Sequence, residues 1–479
     1  MAKPKFVPIP PQPLDRFRSL LGDEYEQIEA VAAWAREAFV GRAIWHISST
    51  ARGGGVAELL RTMLPYVRDA GVDTRWVVLR ESPEFFCLTK RIHNRLHGAA
   101  GDGGPLGEDE RRLYESTLAA SGREVGRLCQ PGDLIYLHDP QTAGLVPLAK
   151  EAGLKVVWRC HVGVDRPNDL VRGTWDFLRP YVEQADAYVF SRRQYFWDGL
   201  DASKAWYMPP VIDPFSPKNQ ELGPATVQAI LKGIGLTHDG LHGAPVFVRS
   251  DGTPGRVERP IGLLQDEPLP DDARMVAQVS RWDRLKDPLG VLEMLDRHLP
   301  GADTHLVLAG PDAGGVADDP EGREVFAEVA EAWRGMVPQH RRRAHLLTLP
   351  MYDLEENAAM VNALQRRADV VLQKSLAEGF GLTVAEAMWK RRPLVASRVG
   401  GIQDQVLDGE TGVLVTDPLD LARFGAAIEG ILADPARARR MGEAGKRRVT
   451  ERFLTVYRLR EYVALVSSLL GIVQPAEAR

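Results

Sequence analysis

Short β-branched and aromatic runs alternate with longer stretches of helical period along almost the whole chain. This is the pattern of β-α-β units folding into parallel sheets. The first series of strand runs is AIWHISS (43–49), TRWVVL (74–79), DLIYLHD (133–139), KVVWRCHV (155–162), AYVF (187–190) and AWYMPP (205–210). A second series is RMVAQVS (274–280), THLVLAG (304–310), HLLTLP (345–350), DVVLQ (369–373), PLVAS (393–397) and GVLV (412–415). Between them PPVIDPFSPKNQEL (209–222), rich in proline and turn residues, reads as a linker. The pattern predicts an α/β protein with two doubly wound sheets, one domain over 1–213 and another over 214–450. PVFVRSDGTPGRVERPIGLL breaks the rhythm and predicts two strands joined by a glycine-rich turn, a hairpin inserted at about 237–272. GAAGDGGPLGEDE (98–110) is a loop by composition.

Length supports the same division, because 479 residues exceed the size at which a single core keeps growing. The net charge of −5, from 60 basic and 65 acidic side chains, gives no overall attraction to nucleic acid or to an anionic membrane. The basic runs RRRAH (341–345) and GKRRV (445–449) are short and lack interleaved aromatics, so no nucleic-acid partner is expected. Cys87, Cys129 and Cys160 are widely spaced with no CxxC, which points to reduced thiols and a cytoplasmic protein rather than to a disulfide framework or a zinc site. MAKPKFVPIPPQPLDRF has no apolar leader segment and reads as a proline-rich arm. YVALVSSLLGIV is too short to span a bilayer, so no membrane association is expected.

Ligands of doubly wound sheets bind outside the carboxyl ends of the strands, and four stretches fall there. In SSTARGGGVAELL the glycines Gly53, Gly54 and Gly55 open a helix, and N–H groups at a helix start favour an anion. No G-x-G-x-x-G follows a strand and no G-x-x-x-x-G-K-[ST] occurs, so dehydrogenase and P-loop chemistry lose their main support. In SRWDRLKDPLGVLEML, Asp287 and Pro288 form a helix start, which leaves Arg281 and Lys286 on the loop before it. In AEGFGLTVAEAMW, Glu378 lies on a loop, Gly379 and Gly381 let the chain turn, and a helix begins near Leu382. Glu386 then sits about one turn inside, among Leu382, Ala385, Met388 and Trp389, where a carboxylate needs a partner. An ionised carboxylate accepts hydrogen bonds and a sugar hydroxyl donates them, so both glutamates suit a polyol. HDPQ (138–141) and WRCHV (158–162) end two strands of the first domain and bring His138, Asp139, Gln141 and His161 to its carboxyl edge. Together these residues predict a cleft for a sugar joined to a diphosphate.

EGFGLTVAE, with Glu378 and Glu386 in an E-x7-E arrangement, SRWDRLKD and GGGVAE resemble the retaining nucleotide-sugar glycosyltransferases of the GT-B fold. STARGGGVAELL, PEFFCLTKRIHNRLHG, HDPQTAGL, MPPVIDPFSPKN and EGFGLTVAEAMWKRRPLVASRVGGIQDQVLDGETGVLV are similar to the trehalose glycosyltransferring synthases and the related trehalose phosphorylases. The likeness runs from about residue 20 to about residue 470. It implies two Rossmann-like domains facing across a cleft, with a C-terminal helix (451–479) returning to the first domain. The implied reaction moves glucose from ADP-, UDP- or GDP-glucose to the anomeric hydroxyl of glucose, with retention, giving trehalose. By resemblance Arg281 and Lys286 neutralise the diphosphate, Glu378 holds the donor sugar, Glu386 holds the ribose and His161 lies by the sugar's reactive side. Gly54, Gly55, Gly381 and Leu382 supply backbone N–H groups, and Gly400 and Gly401 in RVGGIQDQ another phosphate-facing helix start. The acceptor falls to His138, Asp139, Gln141, Asp165, Asn168 and Arg52, the last able also to meet an anionic acceptor or free phosphate. No metal and no cofactor beyond the sugar nucleotide is implied, and a homodimer is the candidate assembly. A phosphorylase using phosphate and glucose 1-phosphate, a transferase acting on another acceptor and a non-catalytic sugar-nucleotide-binding protein stay open as alternatives.

Overall fold

The computed structural model describes residues 5–51, 55–79, 81–238, 243–312 and 321–473, in two compact units. One unit is Met1–Val211 with Leu454–Arg479, and the other is Ile212–Phe453. In the first, the strands are β1 (Lys5–Val7), β2 (Ile44–Ser48), β3 (Thr74–Val78), β4 (Leu134–His138), β5 (Lys155–Cys160), β6 (Ala187–Phe190) and β7 (Ala205–Tyr207). They form one sheet in the order β1-β3-β2-β4-β5-β6-β7, parallel except for β1, which runs antiparallel to β3 with Lys5 opposite Val78. On one face Trp45, Ile47, Ile135, Leu137, Trp158, Cys160 and Phe190 enter an apolar core with residues of the helices Pro83–Leu96 and Asp169–Val182. Because side chains alternate along a strand, His46, Tyr136, His138 and Arg159 point to the other face. Helix Thr455–Leu470 packs against helices Glu24–Ala38 and Gly55–Asp69 in this unit.

The second unit contains β8 (Val246–Val248), β9 (Pro254–Arg256), β10 (Gly262–Leu264), β11 (Arg274–Val279), β12 (Thr304–Pro311), β13 (Ala344–Leu349), β14 (Val370–Gln373), β15 (Leu394–Ser397) and β16 (Val413–Val415). Its sheet runs β10-β13-β12-β11-β14-β15-β16 and is parallel except for β10. In each sheet the strand order reverses beside the first long strand, between β2 and β4 in one and between β11 and β14 in the other. Loops leaving neighbouring strands there diverge to opposite faces and open a crevice at the carboxyl edge.

Two local expectations differ from what is found. The segment read as a proline-rich arm forms the edge strand β1, where the short Lys-Phe-Val stretch ahead of the prolines pairs on one side only. In the segment read as a simple inserted hairpin, β8 and β9 do pair, with a turn closed by Arg249 N–H to Thr253 O at 2.8 Å. The remainder of that segment includes β10, which completes the edge of the main sheet against β13. Arg249 fastens the hairpin to Asp353 and Glu355 at the start of helix Leu354–Arg367, with its closest contact to Asp353 at 2.7 Å. Among the described residues no helix is long and apolar enough to cross a membrane.

Candidate functional site

At the carboxyl edge of the second sheet, the loop after β11 and the loop after β14 come together. Lys286 donates from Nζ to Glu378 Oε2 at 2.6 Å, and the same oxygen accepts from Gln373 Nε2 and Ser375 Oγ, each at 3.3 Å. Buried Gln278, near the end of β11, bridges the two loops: its Nε2 donates to Lys286 O and its Oε1 accepts from Lys374 N, both at 2.9 Å. A backbone bond from Leu376 N to Leu285 O at 2.8 Å ties them again. Arg281 lies on the same loop, with Nη2 3.4 Å from Asp283 Oδ2, while Asp283 Oδ1 caps the short turn Arg284–Lys286. Asp287 caps helix Pro288–His298 through Gly290 N at 3.1 Å, as the Asp-Pro pair requires.

Helix Leu382–Trp389 begins after Gly381, whose φ of +82° is open to glycine at no steric cost. Of its first-turn N–H groups, that of Val384 donates to Gly381 O at 3.0 Å, while those of Leu382 and Thr383 precede the first bond of the helix. Glu386, expected to hold a ligand hydroxyl, is engaged by protein partners. It is 2% exposed, with Oε1 3.4 Å from Lys218 Nζ and Oε2 accepting from Gln365 Nε2 at 3.2 Å. The linker folds back under this helix: Asn219 O accepts from Trp389 Nε1 and Asn219 Oδ1 accepts from Lys390 Nζ, at 3.0 and 2.8 Å, and this brings Lys218 to the glutamate. Gly401 also differs, since its N–H donates to Gly379 O at 3.2 Å instead of facing an open phosphate site. A Cβ there would fall 2.6 Å from Phe380 Cα, so Gly401 is what allows the two glycine turns to touch. Gly400, at φ +50°, makes the turn into the single-turn helix Ile402–Gln405.

In the first unit the residues expected at the site, His161 on the sugar's reactive side and the acceptor set, divide. His161 is partly exposed and follows β5, with Nε2 3.4 Å from His138 Nδ1. His138 is buried, and its other ring nitrogen lies 3.0 Å from His46 Nδ1, so it supports His161 and has no nitrogen left for a ligand. Asp139 is buried as well and turned inward, with Oδ1 accepting the His161 backbone N–H at 2.7 Å. Asn168 is engaged as the cap of helix Asp169–Val182 through Val171 N at 3.1 Å, and its Nδ2 donates to Gly98 O at 2.9 Å. Asp165 pairs with Arg192. Gln141 Oε1 is enclosed without a hydrogen-bond partner among the described residues. Gly55 begins helix Gly55–Asp69, whereas Arg52, Gly53 and Gly54 lie outside the described residues.

A family model described as "Trehalose synthase, N-terminal domain" matches residues 46–197, and one described as "Glycosyl transferases group 1" matches residues 263–448. A trehalose synthase from Rubrobacter xylanophilus is 35% identical over 466 residues, which span 95% of this chain and 97% of that protein. The chain belongs to the trehalose synthase family. A trehalose phosphorylase from Pleurotus pulmonarius is 26% identical over 438 residues, 86% of this chain but 55% of that protein. A solved UDP-forming α,α-trehalose-phosphate synthase from Burkholderia vietnamiensis matches with a TM-score of 0.65 at 17% identity, over 89% of this chain and 100% of that one. The protein is accordingly a glycosyltransferase with the two Rossmann-like sheets of the GT-B fold.

Several residues of this trehalose synthase family member that shape the site escaped the sequence reading. Gln278, Gln373, Lys374 and Ser375 stand at the ends of two apolar strands, and a polar residue buried at a strand end is the signal that could have found them. Gln405 Nε2 holds the Phe380 and Gly381 carbonyls at 2.6 and 3.2 Å. Asp139 carries a pH-dependent consequence. Burial pushes its carboxyl up to about 7, against the His161 N–H and Arg159, which pull it down. The folded chain therefore prefers the protonated acid: relative stability is full below the unfolded carboxyl range and falls as pH rises through about 7. Asn keeps an acceptor for His161 N–H and tolerates the φ of +63°. Asp139→Asn is expected to be more stable than the parent at pH 8 by roughly 2 kcal/mol and to converge with it near pH 4. Urea unfolding at both pH values measures this, and an equal gap at the two would contradict the assignment.

Proposed function

We propose that the protein is a retaining glucosyltransferase that moves glucose from a nucleoside diphosphate glucose to the anomeric hydroxyl of a second glucose, forming trehalose. The observation that carries this reading is the Lys286–Glu378 pair, a cation and a hydrogen-bond acceptor 2.6 Å apart at the switch point of the second sheet. The family resemblance supports it over nearly the whole chain. In this reading the bond from C1 to the diphosphate oxygen breaks while the acceptor hydroxyl closes on C1 from the same face. The acceptor's proton passes to the departing phosphate oxygen, so no side chain need act as nucleophile.

Lys286 and Arg281 stabilise the charge that develops on the leaving diphosphate, a contribution of the kind that is usually largest in such sites. First-turn N–H groups of helix Leu382–Trp389 add to it. Glu378 accepts a hydrogen bond from the donor sugar, and Glu386 takes the ribose hydroxyls by exchanging one of its present partners, Lys218 or Gln365. His161 lies on the reactive side of the sugar in this reading.

A second reading, phosphorolysis of trehalose, is favoured by the likeness to the Pleurotus enzyme, although the matched region is 55% of that protein. Incubating the protein with trehalose and either inorganic phosphate or ADP, UDP and GDP in turn separates the two. Formation of a nucleoside diphosphate glucose is expected. Release of glucose 1-phosphate with phosphate alone would overturn the synthase reading.

A further inference from the structure

The polar face of the first sheet carries a line of rings to which the proposed function gives no role beyond His161. Tyr462, on helix Thr455–Leu470, sets its hydroxyl 3.1 Å from His46 Nε2; His46 Nδ1 lies 3.0 Å from His138 Nε2; and His138 Nδ1 lies 3.4 Å from His161 Nε2. The rings stack as well as bond, with successive centroids 5.8, 5.3 and 5.7 Å apart and planes tilted by 18°, 25° and 19°. Tyr136 closes the side of the line, stacked on His46 at 4.9 Å and on Tyr462 at 5.3 Å. His46 and His138 are 0% and 1% exposed. The arrangement exists because β2, β4 and β5 are neighbours, His46 and His138 occupy the same face of β2 and β4, and His161 directly follows β5.

Burial holds the His46 imidazole down at about 3 and lowers His138 and His161 well below the usual histidine range, with the Arg159 guanidinium adding to the effect on each. Burial also keeps the proton on the Tyr462 phenol. All four groups are therefore neutral near pH 7. A neutral imidazole has one donor nitrogen and one acceptor nitrogen, so the tautomers are linked through the line. Either every hydrogen points towards His161 or every hydrogen points towards Tyr462. A phenol is a better donor than an imidazole N–H, an imidazole nitrogen is a better acceptor than a phenol oxygen, and the Thr74 hydroxyl that also bonds Tyr462 can donate to its oxygen; together these select the first pattern.

We propose that Tyr462, acting through His46 and His138, holds His161 in the Nδ1–H tautomer and so presents it as a hydrogen-bond donor on the edge of the ring opposite the line. Tyr462, His46 and His138 are then positioning residues, and His161 is the group that touches the substrate. The tautomer follows from the geometry of the line and the neutrality of its groups, whereas its catalytic consequence rests on the transferase function proposed above. A donor at this place suits a sugar hydroxyl oxygen, while the opposite tautomer would offer that oxygen a lone pair.

Nitrogen-15 spectra of the full-length protein labelled at histidine test this, with the His161 signals identified by their loss in His161→Asn. The expected wild-type spectrum has the proton on His161 Nδ1, and in Tyr462→Phe His161 becomes a mixture of tautomers. In the same variant kcat should fall about tenfold, the scale of losing one buried hydrogen bond, with the donor KM within twofold of the parent. A wild-type His161 protonated on Nε2 would overturn the proposal, and that spectrum decides even if the variant fails to fold. A tautomer shift in Tyr462→Phe with kcat unchanged would overturn the catalytic consequence. The stated tautomer in a wild type that transfers no glucose would support the line while ending the transferase reading.

Discussion

Replacing Lys286 with methionine is expected to lower kcat by two to three decades, the range seen when one preorganised charge donor is removed from a developing anion. The ammonium is held on two sides: Glu378 takes its Nζ at 2.6 Å, and Gln278 fixes the backbone that carries it by donating to Lys286 O at 2.9 Å. Methionine fills similar space and leaves Glu378 with its bonds from Gln373 and Ser375, so the protein should fold with the loop in place. A contact that strengthens only as the diphosphate departs lowers kcat and kcat/KM together, and that signature distinguishes it from simple donor binding. Lys286→Arg should recover part of the loss, because the charge returns with a different shape. Product formation at saturating donor, followed by chromatography, measures all three proteins. Turnover by Lys286→Met at the parental rate would remove this residue from the reaction.

How far such a site could be read in advance depends on what sets each contact. The buried strands were legible because enclosure on both faces demands apolar runs, as in IWHIS and LVAS, whose residues are buried throughout. β1 and β10 were not, because a three-residue edge strand pairs on one side and leaves little imprint on composition. Lys286 and Glu378 could be singled out, since each follows a strand and loops after strands face the crevice. Their pairing could not, because it spans 92 positions and depends on β11 lying beside β14. The same reason hid the ring line: His46 sits inside an apolar run, and only the order β2-β4-β5 aligns it with His138 and His161, while Tyr462 arrives from 416 positions away. For Glu386 the need for a partner was evident from its apolar neighbours. That the linker would supply Lys218 was not, since it follows from the path of residues 216–220 under the helix.

Asp287→Asn is expected to cost about 3 kcal/mol of folding stability, the lower end of the range for breaking a buried ion pair by removing one partner. Lys374 is the reason. Its side chain is 0% exposed and its ammonium is paired with the Asp287 carboxylate, so the charge has no route to water when that partner is lost. The carboxylate is itself about one-fifth exposed, which places the expected loss below the top of the range. Asparagine separates charge from shape here, because it can still cap Gly290 N and accepts the left-handed φ of +45° that few other residues adopt. Lys374→Met alone should cost only about 1 kcal/mol, as the remaining carboxylate can hydrate, and the double variant should return to within about 1 kcal/mol of the parent. Denaturant midpoints of the four proteins give the coupling energy directly. Additive losses would mean that the ammonium finds another acceptor in the folded chain, and the account of Asp287 as its counter-charge would fall. The coupling also bears on the proposed chemistry: Asp287 adjoins Lys286, so an ion pair anchored beside the loop helps to hold Lys286 at the edge of the sheet, and, if Lys286 has the role proposed for it, loss of the pair should lower kcat several-fold even where the protein remains folded.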